Sequence, residues 1–454
     1  GTINVSGKDS IGILGVAYRT DSKNRNVVDE FGKSATGQGK VNILNKGNIN
    51  LDGQGATGIF AKNNKVGATL TNAIATNDTT GKITTTGIKS VGMSGEKAEI
   101  INRGTIEVKG QEGTGMFAKS NSRIENSGTF ATNGDIKATN SLVNSGTVDG
   151  KGIDVAGAEF TNSGKINGEN IKAQVASTRN DGFIYSGKDI DLTTNTLINT
   201  KEITAVNNVN TANANVTNSG KIASNGRVLL DNSAIANTGE ILSGEVFMRN
   251  AQRFDNTGTI KGNNVELGIN QDINLTGNLH GQQRLKISGN NITNNGNTTG
   301  TGLIEINSND FTNNRELASD TVVVNGRGEV VNNSMITGNN GKVSGKNITN
   351  NDLIAFENYL EMNAQGKVQN NKGKAIYGGQ TLIVKANEIM NDEAEILGGN
   401  MDLNATKITN NVATIQSTGN ITITSSDFQN IGRVKGLGNY EKYFETWDGL
   451  KITE

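Results

Sequence analysis

The sequence predicts an all-β protein: an elongated right-handed parallel β-helix (β-solenoid) with three strands in each coil of about 19 residues. Three observations predict it. A short phrase returns at a near-constant interval, apolar residues alternate with period two inside each return, and the composition is too poor in apolar side chains for a conventional core.

The phrase is Asn-x-Gly-x-Ile. It starts at Asn126, Asn144, Asn162, Asn180, Asn199, Asn218, Asn237 and Asn256, and degenerates at the next place to Leu275-Thr276-Gly277-Asn278-Leu279. It resumes at Asn294, Asn313, Asn332, Asn350, Asn370, Asn391, Asn410 and Asn430, which makes seventeen anchors at spacings of 18 to 21 residues. A fixed period of this length is the signature of a stacked repeat, because a unit this short cannot bury an apolar face unless its neighbours cover it.

Around each anchor the apolar columns keep register. Two residues before it stand Phe160, Leu197, Val216, Ile235, Phe254, Phe311 and their equivalents, with Thr178 the one clear lapse. Four residues after it come Val148, Ile166, Ile203, Ile222, Ile241 and Ile260, and a third pair such as Ile153 with Val155 falls in mid-repeat. Each repeat therefore reads as three short strands joined at Gly, Asn and Ser turns, with nothing long enough for a helix.

Strand spacing of roughly 4.8 Å makes seventeen coils a rod of about 80 Å. The recurrent asparagines, among them Asn126, Asn144, Asn162, Asn199, Asn218, Asn237, Asn256, Asn313 and Asn332, are expected to stack as an amide ladder along it. The glycine two residues on supplies the turn.

Composition agrees and sets exclusions. Of 454 residues 33% are hydrophobic and 4% aromatic, while 43 Lys+Arg balance 44 Asp+Glu. A disordered chain would carry a larger net charge, so a thin repeated core fits better. The near-neutral balance gives no basic stripe for nucleic acid and no polybasic membrane anchor. With no Cys and no Pro, order rests on packing and hydrogen bonds, and cysteine chemistry is excluded. No run nears the roughly 18 apolar residues of a membrane span. The chain starts at Gly1 without a signal peptide and is read as a piece of a longer protein.

Three regions are expected: irregular coils over 1–125, a regular solenoid of seventeen coils over 126–433, and an aromatic junction or cap over 434–454. In the first, a looser phrase runs Ile3 to Gly12, Ile49 to Gly58, Ile83 to Gly92 and Ile106 to Gly115, with starts 46, 34 and 23 residues apart. Uneven spacing implies insertions, the largest a polar loop at about 17–40 around Val27, Val28 and Phe31.

Over about Asn126 to Val434 the Asn-x-Gly-x-Ile phrase resembles the haemagglutinin repeats of filamentous-haemagglutinin-type exoproteins, which include those of contact-dependent inhibition. The first 125 residues look more like the passengers of large autotransporter adhesins, where Gly-x-Gly and Gly-Ile-x-Ala phrases recur. The resemblance implies a secreted, virulence-associated filament displayed on a bacterial outer membrane. It further implies a translocator during export and a partner that is a host or bacterial surface protein or glycan. No cofactor, metal, nucleic acid or small-molecule substrate is expected.

Candidate chemistry is sparse. Gly53-Gln54-Gly55-Ala56-Thr57-Gly58 matches a dinucleotide fingerprint, but that motif needs a helix after Gly58 to receive a pyrophosphate, and none is predicted. Gly398-Gly399-Asn400-Met401-Asp402-Leu403 lacks the period of a calcium nonapeptide and reads as a repeat turn. His280, the one histidine, reads as an exposed turn residue. The sharpest enzymatic reading uses Asp310 and Glu329, which share a column on consecutive coils about 5 Å apart and so suit a paired-carboxylate hydrolase. The same column holds Arg253, Asp272, Asn291, Asn347 and Lys367 elsewhere, as a solvated face does. Loops and breaks are where a scaffold carries binding, which singles out Phe31 and, in the tail, Tyr440, Tyr443, Phe444 and Trp447. The leading expectation is a non-catalytic adhesin segment; a carbohydrate-active β-helix enzyme and an autotransporter passenger are the alternatives.

Overall fold

The computed structural model describes residues 1–17, 27–28, 34–35, 40–64, 72–231, 233–435 and 440–447; at 27–28, 34–35, 433–435 and 440–447 the description is of backbone alone. It is all-β, a parallel β-solenoid, and no helix among the described residues is long and apolar enough to cross a membrane. The chain divides into two compact units, Gly1–Leu230 and Asp231–Glu454.

In the first unit each coil lays its strands on the next in parallel register. On one face Ile124 stands opposite Leu142, then Phe160, Thr178, Leu197 and Val216. On a second Phe130 leads to Val148, Ile166, Ile184, Ile203 and Ile222. On the third Ile136 leads to Ile153, Ile171, Ile190 and Val209. All of these are essentially inaccessible. Burying each Ile, Leu or Phe stabilises by about 1.5–3 kcal/mol, and the stack repeats that gain coil after coil.

Towards the N-terminus the coils differ in length. Ile3 pairs with Ile49, Ile49 with Ile83 and Ile83 with Ile106, so neighbours in space are separated by very different stretches of chain. Within the longest of these, Val27–Val28 pairs antiparallel with Ser34–Ala35 as a small hairpin.

The second unit repeats the three columns, for example Val330 to Ile348 to Val368 to Ile389 to Ile408. Its last parallel strand, Asp427–Lys435, is flanked by an antiparallel strand, Tyr440–Trp447. That strand occupies backbone donors and acceptors which a terminal coil otherwise leaves unpaired.

One expectation about the coil needs correction. The three segments are not always separate strands: Thr147–Asn162, Lys165–Asn180, Ala375–Asp392 and Glu395–Asn411 run unbroken around all three faces. Corners such as Gly150 and Gly168 keep their ladder pairing with the coil beside them, so the backbone turns without leaving the sheet. Elsewhere a corner is a bulge, as between Gly338 and Asn340, where one strand bends by a register shift. In those four strands the chain breaks only at the corner that follows the asparagine anchor.

Candidate functional site

The most regular polar feature lies inside the solenoid. In the first unit the side-chain amide of Asn45 donates to Asn77 Oδ1, Asn77 to Asn102, Asn102 to Asn126, and so on through Asn144, Asn162, Asn180, Asn199 and Asn218, each bond 2.7–2.8 Å long. In the second unit Asn237 donates to Asn256, and a separate run links Asn294, Asn313, Asn332, Asn350, Asn370, Asn391, Asn410 and Asn430. The second amide hydrogen reaches backbone carbonyls: Asn126 Nδ2 lies 3.1 Å from Gly128 O and 3.0 Å from Thr147 O. Each buried amide is thereby satisfied by the adjoining coils and by its own corner.

The ladder begins well before Asn126. Asn45-Lys46-Gly47-Asn48-Ile49 and Asn102-Arg103-Gly104-Thr105-Ile106 carry the anchor phrase literally, but intervals of 32, 25 and 24 residues conceal the register.

The acidic column is a row of inter-coil caps. Asp310 Oδ1 accepts from the Glu329 backbone N–H at 2.7 Å, Glu329 Oε1 accepts from Asn347 Nδ2 at 2.7 Å, and Asn347 Oδ1 accepts from the Lys367 N–H at 2.9 Å. Asp272 and Asn291 do the same on earlier coils. Asp310 and Glu329 are adjacent, but each points an oxygen along the stack to a neighbouring donor, and they do not converge on a reacting centre.

His280 is not a turn residue. It sits half-buried in strand Asn278–Ser288 with Nδ1 3.1 Å from Thr299 Oγ1. Among the described residues no three His, Asp or Glu side chains cluster as a metal site. Gly55 takes a positive φ of 69° in a turn and Thr57–Asn63 follows as a strand, so the fingerprint lacks its helix. Gly398 and Gly399 lie within strand Glu395–Asn411 and not in a turn. Of the tail aromatics, Tyr440, Tyr443, Phe444 and Trp447 stand at register positions opposite Lys435, Gly432, Ile431 and Phe428. Phe31 lies outside the described residues.

A surface feature of a different kind occupies the second face of the first unit. The outward positions there are polar on neighbouring coils, with Lys165 and Asn167 on one side and Glu202 and Thr204 on the other; between them stand Phe183 and Tyr185. These two rings are 47% and 45% exposed, although alternation normally sends only Ile184 into the core and leaves polar residues outside. They border an open cleft of about 980 Å³. Gly150 and Gly168 also line it, at corners whose side-chain positions face the core residues Ile136, Ile153 and Ile171. Asn167 Nδ2 donates to Asp149 Oδ1 at 2.8 Å, Thr204 Oγ1 to Glu202 Oε1 at 2.8 Å, and Lys201 Nζ lies 5.8 Å from the Phe183 ring centre. The signal in the sequence was Phe183-Ile184-Tyr185, three successive apolar residues where the pattern calls for one.

Comparison with known proteins gives one family match. Residues 1–141 match the model of the BigA third pectate lyase-like domain, which covers the irregular coils and the first regular one. Among curated proteins and solved structures nothing matches. The likeness is one of β-helical fold over that segment and carries no evidence of catalysis.

Proposed function

We propose that this chain is a non-catalytic segment of a secreted, surface-displayed adhesin, a stack of coils that extends and presents binding surfaces for attachment to host or neighbouring cells. The observation that carries the reading is the use made of polar side chains. The best-placed acidic pair, Asp310 and Glu329, caps the coils beside it, and the buried asparagines link each coil to the next. Groups that hold a stack together in this way are tied to fixed partners and are not available to bind or turn over a substrate.

The match over 1–141 supports a surface passenger of β-helical type. The haemagglutinin-repeat resemblance over 126–434 favours export through an outer-membrane translocator as a two-partner substrate. The partner is then a surface protein or glycan on another cell.

The test is capture of envelope glycans and surface proteins on the purified chain, alongside versions lacking 17–40 or 435–454, with polysaccharide cleavage assayed in parallel. Specific capture without cleavage supports an adhesin; loss of capture with one deletion assigns the contact to that segment. Release of reducing or unsaturated sugar ends from any bound polysaccharide overturns the reading, and so does failure to capture anything.

A further inference from the structure

We propose that the Phe183–Tyr185 face of the first unit is a binding site for a short run of neutral pyranose rings, an oligosaccharide segment lying across the coils. The inference rests on the surface-attachment reading above for its biological setting, but its geometry stands independently.

Two aromatic side chains project from alternate positions of one strand, Phe183–Ser186, so they stand side by side on the same face, roughly 7 Å apart along the strand. Both are about half exposed although the fold offers an interior for apolar groups, and outward positions of the adjoining coils carry none. Exposure of paired rings is costly in water unless a ligand covers them. Aromatic rings present a negative face, which suits the weakly positive C–H groups on the flat side of a pyranose. Around the ring edge a pyranose carries hydroxyls. Polar atoms for them stand within two coils of the aromatics, beside the Asn167–Asp149 and Thr204–Glu202 bonds. The Asn167 side-chain carbonyl oxygen and the second oxygens of Asp149 and Glu202 are not used by those bonds and are left to meet hydroxyls.

The electrostatics favour a neutral ligand. Glu202 pairs with Lys221 at 3.4 Å, Lys201 lies at the Phe183 ring, and Lys165 and Asp149 bring charges of opposite sign. No single-sign field is present to select a polyanion such as a nucleic acid, whose capture needs a basic track beside the stacking rings. A folded protein partner fits less well. Stable protein interfaces bury about 1,200–2,000 Å² around an apolar centre, whereas two half-exposed rings framed by charged and amide groups supply little of it. The cleft is open and of a size, about 980 Å³, that accepts several sugar rings.

The deciding experiment applies the full chain to a printed array of neutral hexose and N-acetylhexosamine oligosaccharides, with sialylated and sulfated glycans on the same surface. The comparison is with F183A/Y185A and with Y185W, each first checked for an unchanged melting temperature. We expect binding to neutral glycans that varies little between low and high salt, falls at least tenfold in the double alanine variant and persists in Y185W. Absence of neutral-glycan binding, equal binding by the double variant, or salt-sensitive binding to charged glycans alone each overturns the inference. Adhesion of intact cells to the immobilised chain, measured beside the array, separates this result from the broader reading. Cell adhesion without glycan binding removes the sugar site and leaves the adhesin; glycan binding without cell adhesion does the reverse.

Discussion

Thr298 donates its hydroxyl to Asn294 Oδ1 at 2.8 Å, inside the solenoid and wholly shielded from water. At every other rung of this run the corresponding oxygen takes its hydrogen from the asparagine one coil earlier, as Asn313 does from Asn294. Here the earlier coil offers Leu275, which stands opposite Asn294 and has no donor. Thr298 stands between Leu279 and Leu317 in an otherwise apolar column. It is a polar residue in the core because a rung of the ladder is missing beside it.

That relationship predicts a coupled pair. Thr298→Val improves the match to Leu279 and Leu317, yet it leaves a buried carbonyl oxygen unpaired and should cost about 1–3 kcal/mol. Leu275→Asn added to it restores a donor and should recover most of the loss. Urea denaturation of the two single variants and the double measures the coupling; additive effects would contradict the substitution of one donor for another.

Removing a rung within the continuous ladder should cost more. Asn162→Leu takes an acceptor from Asn144, a donor from Asn180 and a donor from the carbonyls of Gly164 and Phe183. With two buried amides left short, a loss of about 2–4 kcal/mol is expected. Solenoids open locally, so hydrogen exchange should rise first in the strands holding Asn144 and Asn180.

Thr178 offers the opposite sign. It is 1% exposed between Phe160 and Leu197, and its hydroxyl oxygen has no partner. Thr178→Val keeps the shape and removes the stranded polar group, so stability should rise by about 1 kcal/mol. A higher urea midpoint with an unchanged slope is the check.

Close stacking of corner glycines gives a steric test. A Cβ at Gly164 would strike the carbonyl of Gly146 on the previous coil, and one at Gly182 would strike Gly164. Gly164→Ala must push two coils apart, and a destabilisation of about 1–3 kcal/mol is expected from the overpacking. An equal effect from Gly187→Ala, whose added carbon meets nothing tighter than ordinary contact, would refute the argument.

Acid should loosen the stack. The Asn363 amide holds the Glu361 carboxyl below its usual range, aided by Lys342 and the Tyr359 hydroxyl and opposed by partial burial. The Thr200 hydroxyl does the same for Asp181, with Arg179 assisting against burial. A carboxylate whose folded pKa is depressed contributes stability that is fully present above its unfolded value. That contribution is lost as pH falls through the folded one. The melting temperature should therefore hold from neutral pH down to about 4 and fall below it. Glu361→Gln should start lower at neutral pH and fall less steeply.

Which parts of this were legible in the sequence depends on what each residue is constrained by. The columns through Phe160, Ile166 and Ile153 were readable because burial forces an apolar residue at a fixed phase in every coil, and period-two alternation fixes which side of the strand it takes. The asparagine anchors were readable for the same reason from Asn126 onward, where the interval hardly varies. Asn45, Asn77 and Asn102 belong to the same ladder and were hidden, since insertions between coils change the interval without disturbing the stacking. His280 and Gly398 were misplaced because a corner that stays in the sheet looks like a turn when only its composition is visible.

Phe356 shows where sequence runs out. It is wholly buried at a position where the coils on either side have Gly338 and Gly378, and its ring fills the space left by Gly341, which stands between Val322 and Leu360. Neither residue explains itself alone; only their adjacency across two coils does. The same holds for Phe183 and Tyr185, whose polar neighbours come from the coils before and after, and for Asp310, whose partner is a backbone N–H one coil on. By itself the sequence determined the coil, its period and its core, because burial imposes a local and repeated demand on residue type. The tertiary structure alone decided which surface atoms meet. The period gives which residues are neighbours on successive coils, but outward positions carry no repeated demand on residue type, and the partner is as often a backbone group as a side chain.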